Sequence, residues 1–397
     1  MTDSIEPASR DWRLRSLTGL LDELGVAGRP EHDFPTDGWS GARFSFVERL
    51  DEDDRPIRYI IKRTSLRSDW IAAATSDRMI REAWLANALA GSSVSEIPIG
   101  PTAYLGAAAD GDDAAIVTPD LTVELLAWER PGRDVVADVQ TVQLVIDGLA
   151  RLHASMWPRR IDGAEFRPAV DGPFPWCPLP ERLTLTARPT CLRHIERGIA
   201  AGVESARKLL LGWDAFDRQA PSPARDLVDT LAADPAPLVR ALGRLPSAGL
   251  HGDVKLANVA VWPDQEQIRL IDWQMTTRAP VAVELGWFLV TNSAALPEDP
   301  DQILERYRLA ASSLGFATRQ TALSPTLSVS ETTDRLSTSN ADWRAQVDLA
   351  WIVGLLLRGW RKGLDAESGA TLGSGVSGRD DLHWWSEHAV AAADRQF

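Results

Sequence analysis

The spacing of the apolar residues changes once along this chain of 397 residues. Up to about residue 120, short strand-like segments flank polar turns: "ARFSFVERL" and "IRYIIK" surround "DEDDRP", and "TAYLGAA" and "AAIVTPDL" surround "ADGDD". Such pairs predict antiparallel hairpins. From "VQTVQLVIDGLARLHASMW" onward, the apolar residues recur mainly at helical spacing. The order predicts an α+β protein with a small antiparallel-sheet lobe over residues 1–120 and a large helical lobe over residues 121–397.

Three further segments have the period of a helix. "DWRLRSLTGLLDELG" precedes the first hairpin, "SDRMIREAWLANALAG" is inserted between the two hairpins, and "ADWRAQVDLAWIVGLLLRGWRKGL" lies near the carboxyl end. The polar stretches "SPTLSVSETTDRLSTSN" and "ESGATLGSGVSGRD" flank the last of these and predict long loops. The small lobe is therefore expected to carry one inserted helix, and the rest of the chain to be helical around a single strand pair.

Composition narrows the partners and the compartment. A net charge of -14 argues against nucleic acid, because phosphate backbones are bound by clustered Lys and Arg. Two cysteines, Cys177 and Cys191, are too few for a disulfide framework and indicate a reducing compartment. The amino terminus lacks the apolar core of a signal peptide, and no apolar run approaches the roughly 20 residues that span a bilayer. We expect a cytoplasmic protein with no membrane partner.

The segment "HGDVKLANVAVWPDQEQIRLIDWQ", residues 251–274, carries the strongest chemical signal. Phosphoryl transfer needs a carboxylate to receive the proton of the acceptor hydroxyl and oxygen ligands for Mg²⁺. Asp253, Asn258 and Asp272 supply these groups. "VAVW" and "IRLIDW" predict a hairpin around "PDQEQ", which would bring Asn258 and Asp272 side by side with Asp253 just outside. The alternative is an ordinary solvated hairpin whose Asp and Asn residues cap turns.

"HGDVKLAN" followed by "LIDW" resembles the catalytic and metal-binding segments of the aminoglycoside phosphotransferase and choline-kinase-like family, relatives of protein kinases. The resemblance implies a two-lobed protein-kinase-like fold with Asp253 as catalytic base and Asn258 and Asp272 as magnesium ligands. It also implies that His251 braces the loop. One position departs from the family pattern: "RAPVAVELGWFLV" has Glu284 where the family usually has Asp, so we expect altered support of the catalytic loop.

Lysines are rare in this chain, which has only Lys62, Lys208, Lys255 and Lys362. Lys62 ends the strand "YIIK", where the family places the lysine that contacts the nucleotide phosphates. The following helix offers Glu82 as its partner. Lys255, two residues after Asp253, would stabilise charge on the transferred phosphoryl group. The alternatives are an edge-strand lysine, a solvated glutamate and an exposed lysine.

Two other stretches occupy positions that the family uses for the nucleotide. "TDGWSGARFSFV" stands where the phosphate-covering loop belongs: Gly38 and Gly41 permit close backbone approach, and Ser40 could donate to a phosphate oxygen. A plain turn explains the same residues. In "TPDL", at the hinge between the lobes, Pro119 has no N–H, but its carbonyl can accept from the adenine while Leu121 donates.

The sequence thus predicts a small-molecule kinase that transfers the γ-phosphate of ATP or GTP, with Mg²⁺, to a hydroxyl of a small metabolite. A catalytically silent nucleotide-binding pseudokinase or scaffold of the same fold is the alternative. No lysine follows a glycine, so a Walker-type phosphate loop is absent, as are His-Glu-x-x-His and Gly-x-Ser-x-Gly. The oligomeric state is left open.

The acceptor is expected to bind the helical lobe. The net negative charge and the acidic, tryptophan-bearing helices after residue 340 favour a cationic metabolite such as an amino sugar, an amino alcohol or an aminoglycoside. The alternative is that most of these tryptophans belong to the core. The side chains on which the expectation rests are Trp343, Trp351, Trp360, Trp384, Trp385, Asp342, Asp348, Asp381 and Glu387.

Overall fold

A five-stranded antiparallel sheet forms the first part of the fold, in the strand order β1-β2-β3-β5-β4. The computed structural model describes residues 11–35, 39–90, 103–126, 137–156, 159–161, 164–166, 175–314, 329–372 and 375–397. Both predicted hairpins are confirmed, one formed by β2 and β3 and the other by β4 and β5. The strands are β1 His32–Asp33, β2 Arg43–Leu50, β3 Pro56–Thr64, β4 Gly106–Asp110 and β5 Asp113–Pro119.

The helices of this lobe are α1 Leu17–Glu23, α2 Trp70–Ala74 and α3 Arg81–Ala90. The sequence predicted only one helix between the hairpins, and the short α2 corrects this. Its first turn is capped by Asp69, whose side chain accepts from the N–H of Ala72 at 3.0 Å. A helix of five residues is too short to show an apolar period, so the cap was its main signal.

The remainder is mostly helical, as predicted, but within the described residues it holds three strand pairs where the sequence predicted one. The two additional pairs were missed because each of their strands has only three residues, too few to show alternation. A two-stranded pair lies in the middle of it: β9 and β10 are antiparallel, with Val259 opposite Leu270. The helices are α4 Val139–Ser155, α5 Leu179–Thr184, α6 Arg188–Arg197, α7 Ala200–Gln219, α8 Ser222–Ala233, α9 Ala236–Leu242, α10 Ala282–Asn292, α11 Pro300–Ser313, α12 Val329–Ser368 and α13 Gly378–Gln396. The strands are β6 Arg159–Ile161, β7 Ala164–Phe166, β8 Ala248–Leu250, β9 Val259–Trp262, β10 Gln267–Leu270 and β11 Thr277–Ala279.

The long helix α12 packs against α7, α10 and α13 and carries much of the core. The polar stretch at 324–340 was predicted as a loop. Residues 324–328 lie outside the described residues, but 329–340 form the first turns of α12, so the prediction is wrong there. Ser and Thr cost a helix only tenths of a kcal/mol each, and adding turns to an existing helix requires no new nucleation.

The domain boundary near residue 120 stays a prediction, although β5 ends at Pro119 and α4 begins only at Val139. Within the residues that the structure describes, no helix is both long enough and apolar enough to cross a membrane.

Candidate active site

A cleft of about 510 Å³ lies between the five-stranded sheet and the helical part of the chain. It is bounded on one side by β3, β5 and α3, and on the other by the loops that follow β8 and β10. Of the side chains predicted to act, those that line it are Ser40, Lys62, Glu82, Pro119, Leu121, Asp253, Lys255, Asn258 and Asp272. His251 lies behind the wall and is fully buried.

Lys62 joins the sheet to the helical part through two ion pairs. Its Nζ lies 2.6 Å from Oε2 of Glu82 on α3 and 2.7 Å from Oδ1 of Asp272. Burial by itself would lower the pKa of Lys62, but the two carboxylates raise it above its ordinary value. Tyr104 donates to the other oxygen of Glu82 at 2.7 Å and so fixes that carboxylate. The lysine is therefore held as an ammonium ion facing the cleft.

Asp272 follows β10 with a left-handed backbone, at φ +65°. Burial would raise the pKa of its carboxyl group, but the ammonium groups of Lys62 and Lys255 lower it to about 2. The carboxylate is thus ionised at neutral pH. Asp tolerates the left-handed region better than most residues, and the turn places the carboxylate beside Lys62.

Asp253 lies in the loop between β8 and β9 and is held by its neighbours. The side-chain amide of Asn258 donates to the carbonyl oxygen of Asp253 at 3.0 Å and to its Oδ2 at 3.2 Å. The Nζ of Lys255 is 3.6 Å from the same Oδ2. The carboxylate is therefore oriented at the cleft, with an amide on one side and an ammonium group nearby.

His251 connects this loop to the segment that carries Asp272. Its Nδ1 accepts from the N–H of Asp253 at 3.2 Å, and its Nε2 donates to the carbonyl of Ile271 at 2.9 Å. Burial lowers the pKa of His251, so the ring is neutral with its proton on Nε2. Through these two contacts His251 links the loop of Asp253 to the segment of Asp272, as expected of a bracing residue.

Glu284 supports the same loop from α10. Its two oxygens accept from the backbone N–H groups of His251 at 3.0 Å and Gly252 at 2.6 Å, and one of them also contacts Nε2 of His153 at 2.9 Å. The other ring nitrogen of His153 contacts the hydroxyl of Tyr307 at 2.7 Å. The departure from Asp therefore leaves the loop supported, because the longer side chain still reaches both N–H groups.

Asn258 and Asp272 offer oxygen atoms suited to Mg²⁺. The N–H of Ile271 donates to the carbonyl of Asn258 at 3.1 Å, which brings the two segments together. The amide nitrogen of Asn258 is engaged with Asp253, so its oxygen is the atom left for a cation. Within the described residues, no group of three His, Cys, Asp or Glu could hold a metal. One amide and one carboxylate nevertheless fit Mg²⁺, which takes its other ligands from phosphates and water.

The hinge after β5 presents backbone groups to the cleft. Asp120 donates its N–H to the carbonyl of Arg58 on β3 at 3.0 Å. In a trans peptide the carbonyl of Pro119 points opposite to the N–H of Asp120, so it is turned away from β3. It points to the side where β4 has already ended, since β4 pairs with β5 only as far as Val117. The proline thus interrupts no ladder bond and leaves an acceptor free for a base.

The loop that carries Ser40 contacts the helical part of the chain through Trp39. The carbonyl of the preceding Trp39 accepts from Nε1 of Trp70 on α2 at 2.6 Å and from Oγ of Ser205 on α7 at 3.4 Å. The Trp39 ring is 6.0 Å from that of Trp360. Gly38 lies outside the described residues. A contact of Ser40 with phosphate stays a prediction.

The side chains expected to bind the acceptor are placed differently. Of the nine named above, only Trp360 lines the cleft among the residues that the structure describes. Trp351 packs in the core against Trp384 and Trp385, at 5.1 and 5.3 Å between ring centroids. Asp348 pairs with Arg395 at 2.5 Å. Trp351 and Trp360 are nine residues apart, which at about 100° per residue puts them on opposite sides of α12.

Several cleft residues were not singled out from the sequence. Two guanidinium groups lie over the ring of Trp287 on α10, with the Cζ of Arg182 4.6 Å and that of Arg358 5.5 Å from its centroid. Arg361 on α12 lines the same side. In an arginine-rich chain, no local pattern distinguishes these arginines from surface ones.

The fold and the cleft define a phosphotransferase of the protein-kinase-like class with a hydroxyl group as acceptor. A model of the phosphotransferase enzyme family matches residues 38–322, and the chain belongs to that family. The resemblance seen in the sequence is thereby confirmed. No curated protein matches the chain.

Three solved structures illustrate the likeness. Aminoglycoside-3'-phosphotransferase of type VIII is 19% identical, with 80% of this chain and 92% of that one covered and a TM-score of 0.35. The enzyme APH(3'')-Id from Streptomyces rimosus, in complex with ADP and streptomycin, is 17% identical, with 79% and 94% covered and a TM-score of 0.40. Choline kinase LicA from Streptococcus pneumoniae is 12% identical, with 94% and 98% covered and a TM-score of 0.41.

Proposed function

We propose that this protein transfers the γ-phosphate of ATP to a hydroxyl group of a small molecule, with Asp253 as the catalytic base. The observation that carries the proposal is the convergence of Lys62, Asp253, Asn258 and Asp272 on one cleft, although they come from both parts of the fold.

The nucleotide would bind between the sheet and the loops below it. The hinge offers the carbonyl of Pro119 and the N–H of Leu121 to the base. The ammonium of Lys62, oriented by Glu82, would contact the phosphates. Lys62 also contacts Asp272, which is a proposed metal ligand. The ammonium and the metal would therefore neutralise the phosphate charge at neighbouring positions.

Asn258 and Asp272 would hold Mg²⁺. When bound there, the ion neutralises phosphate charge and helps orient the group to be transferred. Because Asn258 also donates to Asp253, the same amide would keep the base in register with the metal site.

Asp253 would accept the proton of the attacking hydroxyl as the new O–P bond forms and the bond to the leaving ADP breaks. Lys255, 3.6 Å from that carboxylate, would stabilise negative charge on the transferred group. His251 and Glu284 hold the loop without facing the cleft. A scaffold that only binds nucleotide has no need of Asp253, which is why the silent alternative is less favoured.

The test is Asp253→Asn, which keeps the shape of the side chain and removes the base. We expect kcat to fall by about 10²–10⁴, while calorimetry shows nearly unchanged binding of ATP. ATP consumption against sugars, amino alcohols, aminoglycosides and nucleosides supplies the assay. Full turnover in Asp253→Asn would remove this residue from the mechanism, and binding of ATP without turnover of any acceptor would favour the silent alternative.

An amino sugar, an amino alcohol or an aminoglycoside stays a candidate acceptor on the sequence argument. The acidic side chains behind that argument do not line the cleft, which weakens it. A cytoplasmic location and the lack of a nucleic-acid partner also stay predictions.

A further inference from the structure

Arginine and tryptophan side chains from four segments form one wall of the cleft. We call Trp39, Arg182, Trp287, Arg358 and Trp360 the arginine-tryptophan wall. Its members are in mutual contact: Arg182 and Arg358 both lie over Trp287, Arg358 also lies 4.8 Å from the centroid of Trp360, and Trp360 is next to Trp39. The wall begins beside Asp253, so a molecule resting on it would reach the proposed base.

Arg182 is the most informative member. Arg182 is only 1% exposed, yet it lines the cleft. Its Nε donates to the carbonyl of Gly252 at 2.8 Å, and among the described residues its guanidinium has no carboxylate within 4.0 Å. Arginine stays protonated in proteins, and a buried charge is normally paired. The terminal nitrogens of Arg182 therefore lack the anion that their burial requires.

The described segments that form the wall supply no such anion. The described cleft residues from the loop at 39–40 and from α5, α10 and α12 include no Asp or Glu. Arg358 adds positive charge on the same side, whereas Arg361 is paired with Asp365 at 2.9 Å. The carboxylates near Arg182 are Asp253 and Glu284. Asp253 is held by Asn258 and Lys255, and Glu284 by His153 and two backbone N–H groups. This positive wall is found in a chain whose net charge is -14.

We propose that the acceptor carries an anionic group, either a carboxylate or a phosphate, that binds Arg182 and Arg358 while the hydroxyl of the acceptor faces Asp253. This inference rests on the proposed kinase function. Guanidinium groups bind both anions through paired hydrogen bonds. The tryptophans would pack against the uncharged body of the same molecule. The charge of the acceptor is then opposite to that expected from the sequence.

The test compares compounds that share one scaffold and differ in charge: glucose, glucosamine, glucuronate and glucose 6-phosphate. Binding is measured by calorimetry in the presence of Mg²⁺ and a non-hydrolysable ATP analogue, so that the readout does not depend on turnover. Inorganic phosphate and acetate serve as probes without the sugar. We expect an anionic compound to bind at least about tenfold more tightly than glucose or glucosamine. Glucuronate against glucose 6-phosphate distinguishes carboxylate from phosphate.

The variant is Arg182→Met, which keeps the length of the side chain and removes its charge. It should weaken anion binding by about 10- to 100-fold and leave the affinity for the ATP analogue unchanged. Arg358→Met repeats the test if the first variant does not fold. The matched control is Arg218→Met, since Arg218 is exposed on α7 and pairs with Glu367 away from the cleft.

Three results would overturn the inference. Preferential binding of glucose or glucosamine would contradict it, as would the absence of any Arg182-dependent binding of the phosphate and carboxylate probes at millimolar concentration. Loss of ATP-analogue affinity in Arg182→Met would instead assign the arginine to the nucleotide. In each case, turnover that depends on Asp253 would leave the proposed function standing.

Discussion

Glu284 is a single residue that supports a loop distant from it in sequence. Its carboxylate accepts from the N–H groups of His251 and Gly252, and it is fully buried. Without it, two backbone N–H groups would lose their acceptor in the interior, which costs about 1–3 kcal/mol for each group. One side chain on α10 therefore keeps the loop of Asp253 in place.

We expect Glu284→Gln to lower the free energy of unfolding by about 1–3 kcal/mol. The amide retains the size of the carboxylate but replaces one acceptor oxygen with a donor that faces a backbone N–H. Urea denaturation at pH 7 measures the change. Glu204→Gln is the control, since Glu204 is exposed on α7 and pairs with Lys208. Equal stability of Glu284→Gln and the wild type would show that the loop does not depend on this carboxylate.

We also expect the stability difference between the wild type and Glu284→Gln to depend on pH. Burial would raise the pKa of Glu284, but His153 and the backbone N–H of Gly252 hold it below its ordinary value of 4.5. A lowered pKa means that the ionised carboxylate contributes stability above pH 4.5, and that this contribution is lost as the pH falls through the lower, folded value. The stability difference between wild type and Glu284→Gln should thus be constant near neutrality and shrink in acid. A difference that grows in acid would contradict the assignment.

The loop between β8 and β9, which carries Asp253, depends on the close approach of a second backbone segment. Gly252 has φ +85°, and a Cβ atom there would stand 2.1 Å from the carbonyl oxygen of Met275. The loop after β10 therefore lies directly on the backbone of the loop after β8. A side chain at this position would separate the two segments that carry Asp253 and Asp272.

Gly252→Ala should destabilise the protein by more than the about 1 kcal/mol that left-handed backbone costs alanine, and lower turnover as well. The matched control is Gly111→Ala in the turn between β4 and β5. Gly111 also has a positive φ, +63°, but nothing lies within 4 Å of the added Cβ. Thermal unfolding and kcat of both variants separate the backbone effect from the clash. Equal effects in both would mean that the close approach at Gly252 is unimportant.

Lys62 connects the two parts of the molecule, because it pairs with Glu82 in the sheet lobe and with Asp272 in the helical part. A nucleotide bound between these groups would stabilise both parts together. A free nucleotide concentration of a hundred times Kd adds about 2.7 kcal/mol to the free energy of unfolding. The rise in melting temperature on adding nucleotide therefore reports whether the cleft binds as a unit.

We expect Lys62→Met to lose most of the increase in Tm that Mg²⁺ and a non-hydrolysable ATP analogue produce in the wild type. The phosphates would then face Glu82 and Asp272 without the ammonium group between them. Lys208→Met is the control, since Lys208 is an exposed lysine on α7. Omitting Mg²⁺ should reduce the increase in both the wild type and the control. A full increase in Lys62→Met would exclude Lys62 from nucleotide binding.

Local signals were sufficient for much of the fold and for the core of the candidate site. The hairpins of β2 with β3 and of β9 with β10 follow from alternating apolar residues on either side of a polar turn. The motif around Asp253 and Asn258 is also local, and its hairpin explains how Asp272 returns to it. Helix α2 and the first turns of α12 were missed, since the signal in a few polar or small residues is weak.

The sequence by itself indicated both hairpins of the sheet, the pair of β9 and β10 and the family, and it singled out Asp253, Asn258 and Asp272, which line one cleft. Each of these depends on patterns within a few tens of residues. Only the tertiary structure decided that Glu284 reaches the loop of Asp253, and that Arg182, Trp287 and Arg358 meet on one wall. These contacts join segments far apart along the chain. An arginine buried at a cleft and an arginine on the surface look the same in sequence, and packing alone separates them.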